Sequence, residues 1–342
     1  MLDSATRTGF CGAVSVHRDG STVLREGVGL ANIELGVPNT PSMIFRIGSV
    51  SKQFTAVCIL LLQDRCVLRT SDTVGEHLPD APDHWKPLTI HQLLTHTSGL
   101  MHSWNHPNFA QHMAVEMSLD ENLARFHDEP LVFEPGAKGK FQYTGVGYFL
   151  LARLVEVLSG HTFPDFLRSE VLGPLGLHDT GCDLPELVLR GRASGYEGGG
   201  SGPLSDGRGP GSSSLQPAPP IYMPILTGGG SMYSTVDDLQ KWDEGTCGGA
   251  LLSDEGLCAL EMAHVHRTPH TRYGYGWQQP VGSQEGLRVL RHGGGLPGFT
   301  THVLRMKVPE RRGPSEVCVC ICSNVHYGGV QKLADELAKA VQ

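Results

Sequence analysis

Phe45-Arg46-Ile47-Gly48-Ser49-Val50-Ser51-Lys52-Gln53-Phe54-Thr55-Ala56, running on into the apolar residues 57–62, is the stretch on which the reading of this chain turns. The apolar run predicts a helix over 50–65. Positions i and i+3 share a helix face, so Ser49 and Lys52 point the same way while the following turns are anchored in a core. Both sit at the helix start, where backbone N–H groups lack partners and the dipole is positive. That setting favours an oxyanion and disfavours a protonated amine. A serine is inert at its free pKa and needs an adjacent base, and Lys52 as a neutral amine is placed to be one.

Composition narrows what surrounds this pair. The chain has 342 residues, long enough for a single large domain or a domain built of two lobes. Net charge is −8 and no long basic cluster occurs, so nucleic-acid binding has no electrostatic support. The longest wholly apolar stretch, 56–62, is far short of the about 20 residues of a membrane span. Residues 1–8 carry no apolar signal-peptide core, which leads us to expect a cytoplasmic protein. Nine cysteines is an odd number, and most lie in apolar segments, as reduced thiols do. Cys318, Cys320 and Cys322 alternate along one strand face. Every residue between them is apolar, so they read as small hydrophobes of a buried strand and not as metal ligands.

Along the chain, 10–17 and 21–29 read as strands joined by a turn at Arg18-Asp19-Gly20. Residues 88–100 contain a short helix that Gly99 would cap. Further helices are expected at 119–127, 146–158 and 163–172. The Gly/Ser/Pro-rich segment 195–220 reads as a mobile loop. Thr235, with Asp238 three residues on, opens another helix. Strands then dominate, at 273–278, 287–291, 300–308 and 316–323, with Arg311-Arg312 at a hairpin tip and a last amphipathic helix over 330–341. The expected architecture is α+β: an antiparallel sheet built from both chain ends and flanked by helices, interrupted by a mainly helical insertion. Residues 1–75 and 230–342 would form the sheet region and 76–229 the insertion, together one domain.

Three further segments give the Ser-x-x-Lys signal its weight. Phe141-Gln142-Tyr143-Thr144-Gly145-Val146-Gly147-Tyr148 places a tyrosine in a glycine-spaced turn before a helix. Leu290-Arg291-His292-Gly293-Gly294-Gly295-Leu296-Pro297-Gly298-Phe299 ends a strand in glycines, where a substrate can lie against bare backbone. Leu93-Leu94-Thr95-His96-Thr97-Ser98-Gly99-Leu100 and Gly228-Gly229-Gly230-Ser231-Met232-Tyr233-Ser234-Thr235 complete the set. Together these resemble the penicillin-recognising serine hydrolases, in the class C β-lactamase-like branch that holds family VIII carboxylesterases, D-alanyl-D-alanine carboxypeptidases and D-aminopeptidases. The resemblance implies a β-lactamase/penicillin-binding transpeptidase-like fold and an acyl-enzyme on Ser49. It implies Lys52 and Tyr143 as proton carriers, either of which removes the serine proton. It places the oxyanion on the Ser49 and Gly295 amides and substrate contacts at His292, Gly293 and Gly294, although a strand-end structural role for His292 weighs equally. No metal or cofactor is implied.

Two departures bear on substrate. The second motif of such enzymes usually reads Tyr-x-Asn or Tyr-x-Ser, and here the third position is Gly145. The third motif commonly reads Lys-Thr-Gly or His-Thr-Gly, whereas this chain has His292-Gly293-Gly294. Histidine is only partly charged near pH 7, so the grip on a substrate carboxylate should be weak. A neutral short-chain acyl ester loses little by either change and is the expected substrate. A β-lactamase or D-Ala-D-Ala peptidase, and a penicillin-binding sensor that acylates without turnover, are the rivals. His96 reads as a brace for its loop. The histidines at 102, 106, 264, 266 and 270 lack the H-E-x-x-H arrangement or a nearby cysteine pair of a zinc site. No G-x-S-x-G elbow occurs, against an α/β-hydrolase.

Overall fold

The computed structural model describes residues 9–198, 215–282, 286–308, 315–326 and 329–341. Its main sheet has eight antiparallel strands. Two come from the beginning of the chain, β1 (Gly12–Arg18) and β2 (Ser21–Val28). Six come from its end: β3 (Val265–Thr268), β4 (Thr271–Tyr273), β5 (Gln278–Pro280), β6 (Arg288–Leu296), β7 (Phe299–Val308) and β8 (Ser315–Ser323). The order is β3-β4-β5-β6-β7-β8-β1-β2, so the two chain ends are joined where β1 pairs with β8, Val14 opposite Ile321. The β7–β8 ladder runs out to Val308 opposite Ser315; the Arg311-Arg312 tip lies outside the described residues.

Side chains alternate between sheet faces, and here both faces are covered. Val14, Val16, Leu304, Met306, Val317, Val319 and Ile321 pack against Val330, Leu333, Ala334 and Leu337 of the final helix α4 (Val330–Ala340). Ala13, Val303, Cys318, Cys320 and Cys322 face the other way, into the main core. The three cysteines are therefore buried hydrophobes, and all nine thiols of the chain are free.

The main core is centred on α1 (Ser51–Asp64), in which every residue from Ser51 to Leu62 is buried. From Ala56 to Leu62 the helix is apolar all round, as befits a helix inside a protein, and α1 packs against α2 (Val146–Ser159), the helix Asp254–Glu261 and α3 (Val236–Cys247). Phe54 stacks on Trp242 of α3 with ring centroids 3.8 Å apart, and the Trp242 indole donates to the Gln53 side chain at 3.0 Å. The Thr235 hydroxyl accepts from the Asp238 amide and caps α3; the Asp238 carboxylate instead receives Asp179 N–H and the Thr180 hydroxyl.

Several boundaries differ from expectation. The helix expected within 88–100 spans only Ile90–Leu94, because His96 already turns left-handed (φ 61°). Gly99 is not its cap: its positive φ lets the backbone pass Phe133, whose carbonyl oxygen would lie 2.3 Å from a Cβ. The strand expected over 273–278 is broken into β4 and β5. Between them Gly276 (φ 75°) crosses α1 so closely that a Cβ would lie 2.8 Å from Gln53 Cα. The third-motif strand extends past 291 to Leu296. The helix at 163–172 is α-helical over Phe163–Leu167 and widens to a π-turn over Arg168–Leu172. The flanks of the biased segment pair as short strands, Tyr196–Gly198 with Leu215–Pro217, while 199–214 lies outside the described residues. The helix Asp254–Glu261 and strand β3 are additions to the expected elements.

Candidate active site

Ser49 lies in a 3-10 turn, Gly48–Val50, that leads directly into α1. Gly48 takes φ 50°, and Ser51 ties the turn by donating to the Gly48 carbonyl at 2.6 Å. One turn into the helix, Lys52 extends its amine to Ser49 Oγ at 3.1 Å. It also donates to the Gly229 carbonyl at 2.5 Å. That carbonyl is available because the Gly228-Gly229-Gly230 segment presses onto α2, where a Cβ on Gly228 would lie 2.4 Å from the Tyr148 carbonyl oxygen. Two aromatic faces close the remaining sides, with the amine 4.9 Å from the Tyr143 ring centroid and 5.3 Å from that of Tyr148. Lys52 is only 2% exposed. Burial disfavours its charged form and brings its pKa down to about 7. At neutral pH a large share of this amine is unprotonated and able to accept a proton.

Tyr143 stands beside Ser49 in the lining of one cavity. Burial pushes its phenol well above its ordinary value, opposed by the neighbouring Ser49 hydroxyl and by the charge of Arg267. Tyr143 is therefore a protonated group in the resting site, suited to hand a proton on. Ser49, Lys52, Tyr143 and Gly295 all line one small cavity of about 120 Å³, together with His102, Trp104, Phe149, Leu226 and Leu296. A larger cavity, about 370 Å³, lies elsewhere among His77, Trp85, His127 and Arg153 and contains no nucleophile.

The β6 end packs against the Ser49 turn. A Cβ on Gly294 would lie 1.9 Å from the Ile47 carbonyl oxygen and 3.1 Å from the Ser49 amide nitrogen; one on Gly48 would lie 2.9 Å from the Gly295 nitrogen. These close approaches bring the Ser49 and Gly295 amides to one mouth. Gly295 is exposed with open space beside it, whereas Gly294 is buried and serves the packing. Gly293 accepts a hydrogen bond from the His292 ring at its carbonyl, 2.8 Å away.

Of the two roles open to His292, the structure favours the strand-end structural one over the partly charged, substrate-facing one. It is 1% exposed and is not among the cavity-lining residues; burial, reinforced by Lys52, lowers its pKa to about 3. It belongs to a buried hydrogen-bond chain of one polarity. Its Nδ1 donates to the Gly293 carbonyl, so its Nε2 accepts from the Tyr273 hydroxyl at 3.1 Å. Tyr273 in turn accepts from His96 Nε2 at 3.2 Å, and His96 Nδ1 accepts from the Thr144 amide at 3.2 Å. Both imidazoles are neutral, since burial also holds His96 well below its usual value. The chain links the turn carrying Tyr143 to the strand carrying Gly295. His96 thus braces more than its own loop, through Thr144 and Tyr273, and Tyr273 carries no sequence signal of that role.

At the second motif, Ser103 fills the space beside Gly145: a Cβ on Gly145 would lie 2.7 Å from Ser103 Oγ and 3.1 Å from the Phe149 ring. Ser103 is 1% exposed and lines the cavity, so a hydroxyl is present there although Gly145 has none. Nothing in the sequence ties residue 103 to residue 145. Among the described residues one carboxylate–thiol trio comes together, Asp243, Cys247 and Glu316. Arg305 already pairs with both of its carboxylates, at 2.6 Å from Asp243 and 3.8 Å from Glu316.

Known proteins resemble this chain in fold and sequence. A penicillin-binding protein from Bacillus halodurans superposes with a TM-score of 0.80 at 25% identity, covering 97% of this chain and 96% of its own. Penicillin-binding protein 4* of Bacillus subtilis is 27% identical over 86% of this chain, and esterase EstB of Burkholderia gladioli 31% identical over 70%. The chain spans 65% and 67% of those two proteins' lengths, about two thirds. The beta-lactamase family pattern matches residues 6–342, the whole length of the sheet, α1 and the glycine-ended strand, and on that match the chain belongs to the beta-lactamase family.

Proposed function

We propose that the chain is a serine hydrolase that cleaves short-chain carboxylic esters through an acyl-enzyme on Ser49. The observation that carries the reading is the buried Lys52 amine, 3.1 Å from Ser49 Oγ and close to neutral at physiological pH. In the proposed cycle Lys52 takes the Ser49 proton as Oγ attacks the ester carbonyl. The oxyanion lies on the Ser49 and Gly295 amides, donors worth roughly 3 kcal/mol each in comparable hydrolases. Tyr143 returns a proton to the departing alcohol, and water then releases the acid by the reverse path. The high phenol pKa favours Lys52 over Tyr143 as the base.

An ester substrate is supported by the small cavity, whose lining holds no arginine and no lysine besides Lys52 to grip a carboxylate, and by a third motif whose His292 is neutral and turned into the protein. The similarity to esterase EstB points the same way. The similarity to penicillin-binding protein 4* favours the second reading, a β-lactam- or peptide-directed enzyme or sensor on the same scaffold. Among the described residues no helix is long and apolar enough to cross a membrane. Nine free thiols support a reducing compartment, and we place the protein in the cytoplasm. The test is a p-nitrophenyl acyl ester series, a chromogenic cephalosporin and a fluorescent penicillin, each with the wild type and Ser49→Ala. Ester turnover lost in Ser49→Ala is expected. Rapid cephalosporin hydrolysis without ester cleavage, or a stable penicillin adduct without turnover, would replace the ester reading with the second one.

A further inference from the structure

Seven groups surround Tyr143, and their charges are all but one neutral or neutralisable. From α1 comes Lys52, 4.9 Å from the ring centroid and largely neutral above pH 7. The loop after Leu94 brings His96, centroids 4.4 Å apart, and the next segment His102 at 5.7 Å. Tyr148 lies on α2, close enough to Lys52 to share its amine. Tyr273 of β4 and His292 of β6 each stand 6.3 Å away. All three imidazoles are held neutral by burial, His102 at about 4 and His292 at about 3. The seventh group is Arg267 on β3, whose guanidinium carbon lies 5.9 Å from the Tyr143 ring centroid. It is half-buried, and among the described residues no carboxylate pairs with it. Arginine does not deprotonate in proteins. No carboxylate lines the cavity either.

We infer that Arg267 is a positioning residue for catalysis: its fixed positive charge beside Tyr143 supports the negative charge that the phenol acquires when it gives up its proton to the leaving group. The neutral His292 cannot play this role. The step balances simply. As the tetrahedral intermediate collapses, the bond from the carbonyl carbon to the alkoxy oxygen breaks and its electron pair stays on that oxygen. The oxygen takes the Tyr143 proton, and the phenolate is reprotonated by the Lys52 ammonium formed during attack. Between those two transfers the phenolate is flanked by two cations, Lys52 and Arg267. The inference rests on the acyl-enzyme reading above.

Its test compares two esters of the same short acid, one of p-nitrophenol and one of ethanol. The first leaving group departs without a proton and the second needs one. In Arg267→Gln, kcat/KM for the ethyl ester should fall about tenfold, the equivalent of about one pKa unit on the phenol. The p-nitrophenyl ester should change less than about twofold. Arg267→Lys, which keeps the charge, should restore the ethyl ester to within about threefold of wild type. In a Tyr143→Phe background, Arg267→Gln should have no further effect. Equal losses on both esters, no rescue by lysine, or additive losses in the double variant would each overturn the inference. So would a KM increase confined to acyl chains that carry a carboxylate, which would make Arg267 a substrate-binding residue. If Ser49-dependent turnover occurs with amides and not esters, the ester reading fails alone, and the same comparison is made between an anilide and an alkyl amide. Absence of any Ser49-dependent turnover would refute both.

Discussion

Lys52 offers a prediction whose size follows from its burial. Its pKa falls from 10.5 to about 7, and the cause is desolvation. At about 1.4 kcal/mol per unit, the shift corresponds to about 5 kcal/mol of native stability, and with the side chain 2% exposed no discount for solvent screening applies. Between the folded and unfolded pKa values the unfolded chain binds the proton and the native one does not, so stability rises with pH. The contribution is complete above about pH 10.5 and is lost as pH falls toward 7. Lys52→Met removes the titration and keeps most of the apolar stem. Its stability advantage over wild type should therefore shrink by about 2 kcal/mol between pH 7 and pH 9, where most of one proton separates the two states. Urea unfolding of both proteins at the two pH values measures this change. A difference between wild type and variant that does not change with pH would show that Lys52 is not a desolvated amine, and its role as a base would lose its footing.

Other consequences follow from the same geometry. Gly294→Ala forces a Cβ to within 1.9 Å of the Ile47 carbonyl oxygen, so the β6 end must move off the Ser49 turn. We expect kcat to fall by at least about a hundredfold through the oxyanion amides, read from ester kinetics, with the far-UV spectrum retained. Tyr273→Phe leaves two buried imidazole nitrogens without their shared partner and should cost about 1–3 kcal/mol in chemical denaturation. Arg305→Leu strips the cation from buried Asp243, 2.6 Å away, and leaves Glu261 with Arg288 alone, 2.8 Å away. It should cost about 3–5 kcal/mol, with some of the loss recovered at low pH, where the stranded Asp243 carboxylate is protonated.

What the sequence disclosed was local. The Ser49–Lys52 spacing, the apolar α1, the two terminal hairpins and the amphipathic α4 are each written within one short window, where helix and strand periods can be read. Family resemblance then brought Tyr143 and Gly295 to Ser49, and they line the same cavity with it. What the sequence withheld depends on long-range packing. The carbonyl that holds Lys52 lies 177 residues away on Gly229, and the bond from His96 to Tyr273 spans the same separation. A strand-end histidine can face substrate or brace the strand, and the sequence leaves both open for His292; only the fold shows Tyr273 and the β6 backbone enclosing it. Strand β3 gives no clear pattern because three of the four residues of Val265-His266-Arg267-Thr268 are polar and it lies at the sheet edge, so Arg267 carried no signal. Ser103 becomes relevant only through the fold, which sets its hydroxyl against Gly145.

Everything proposed for this site hangs on a covalent acyl-enzyme at Ser49. Rapid acid quenching during turnover of a p-nitrophenyl ester, followed by intact and peptide mass measurement, detects that intermediate. A single acyl group on the peptide containing Ser49 is expected, with neither adduct nor turnover in Ser49→Ala. Turnover that persists in Ser49→Ala, or an acyl group on another residue, would contradict it.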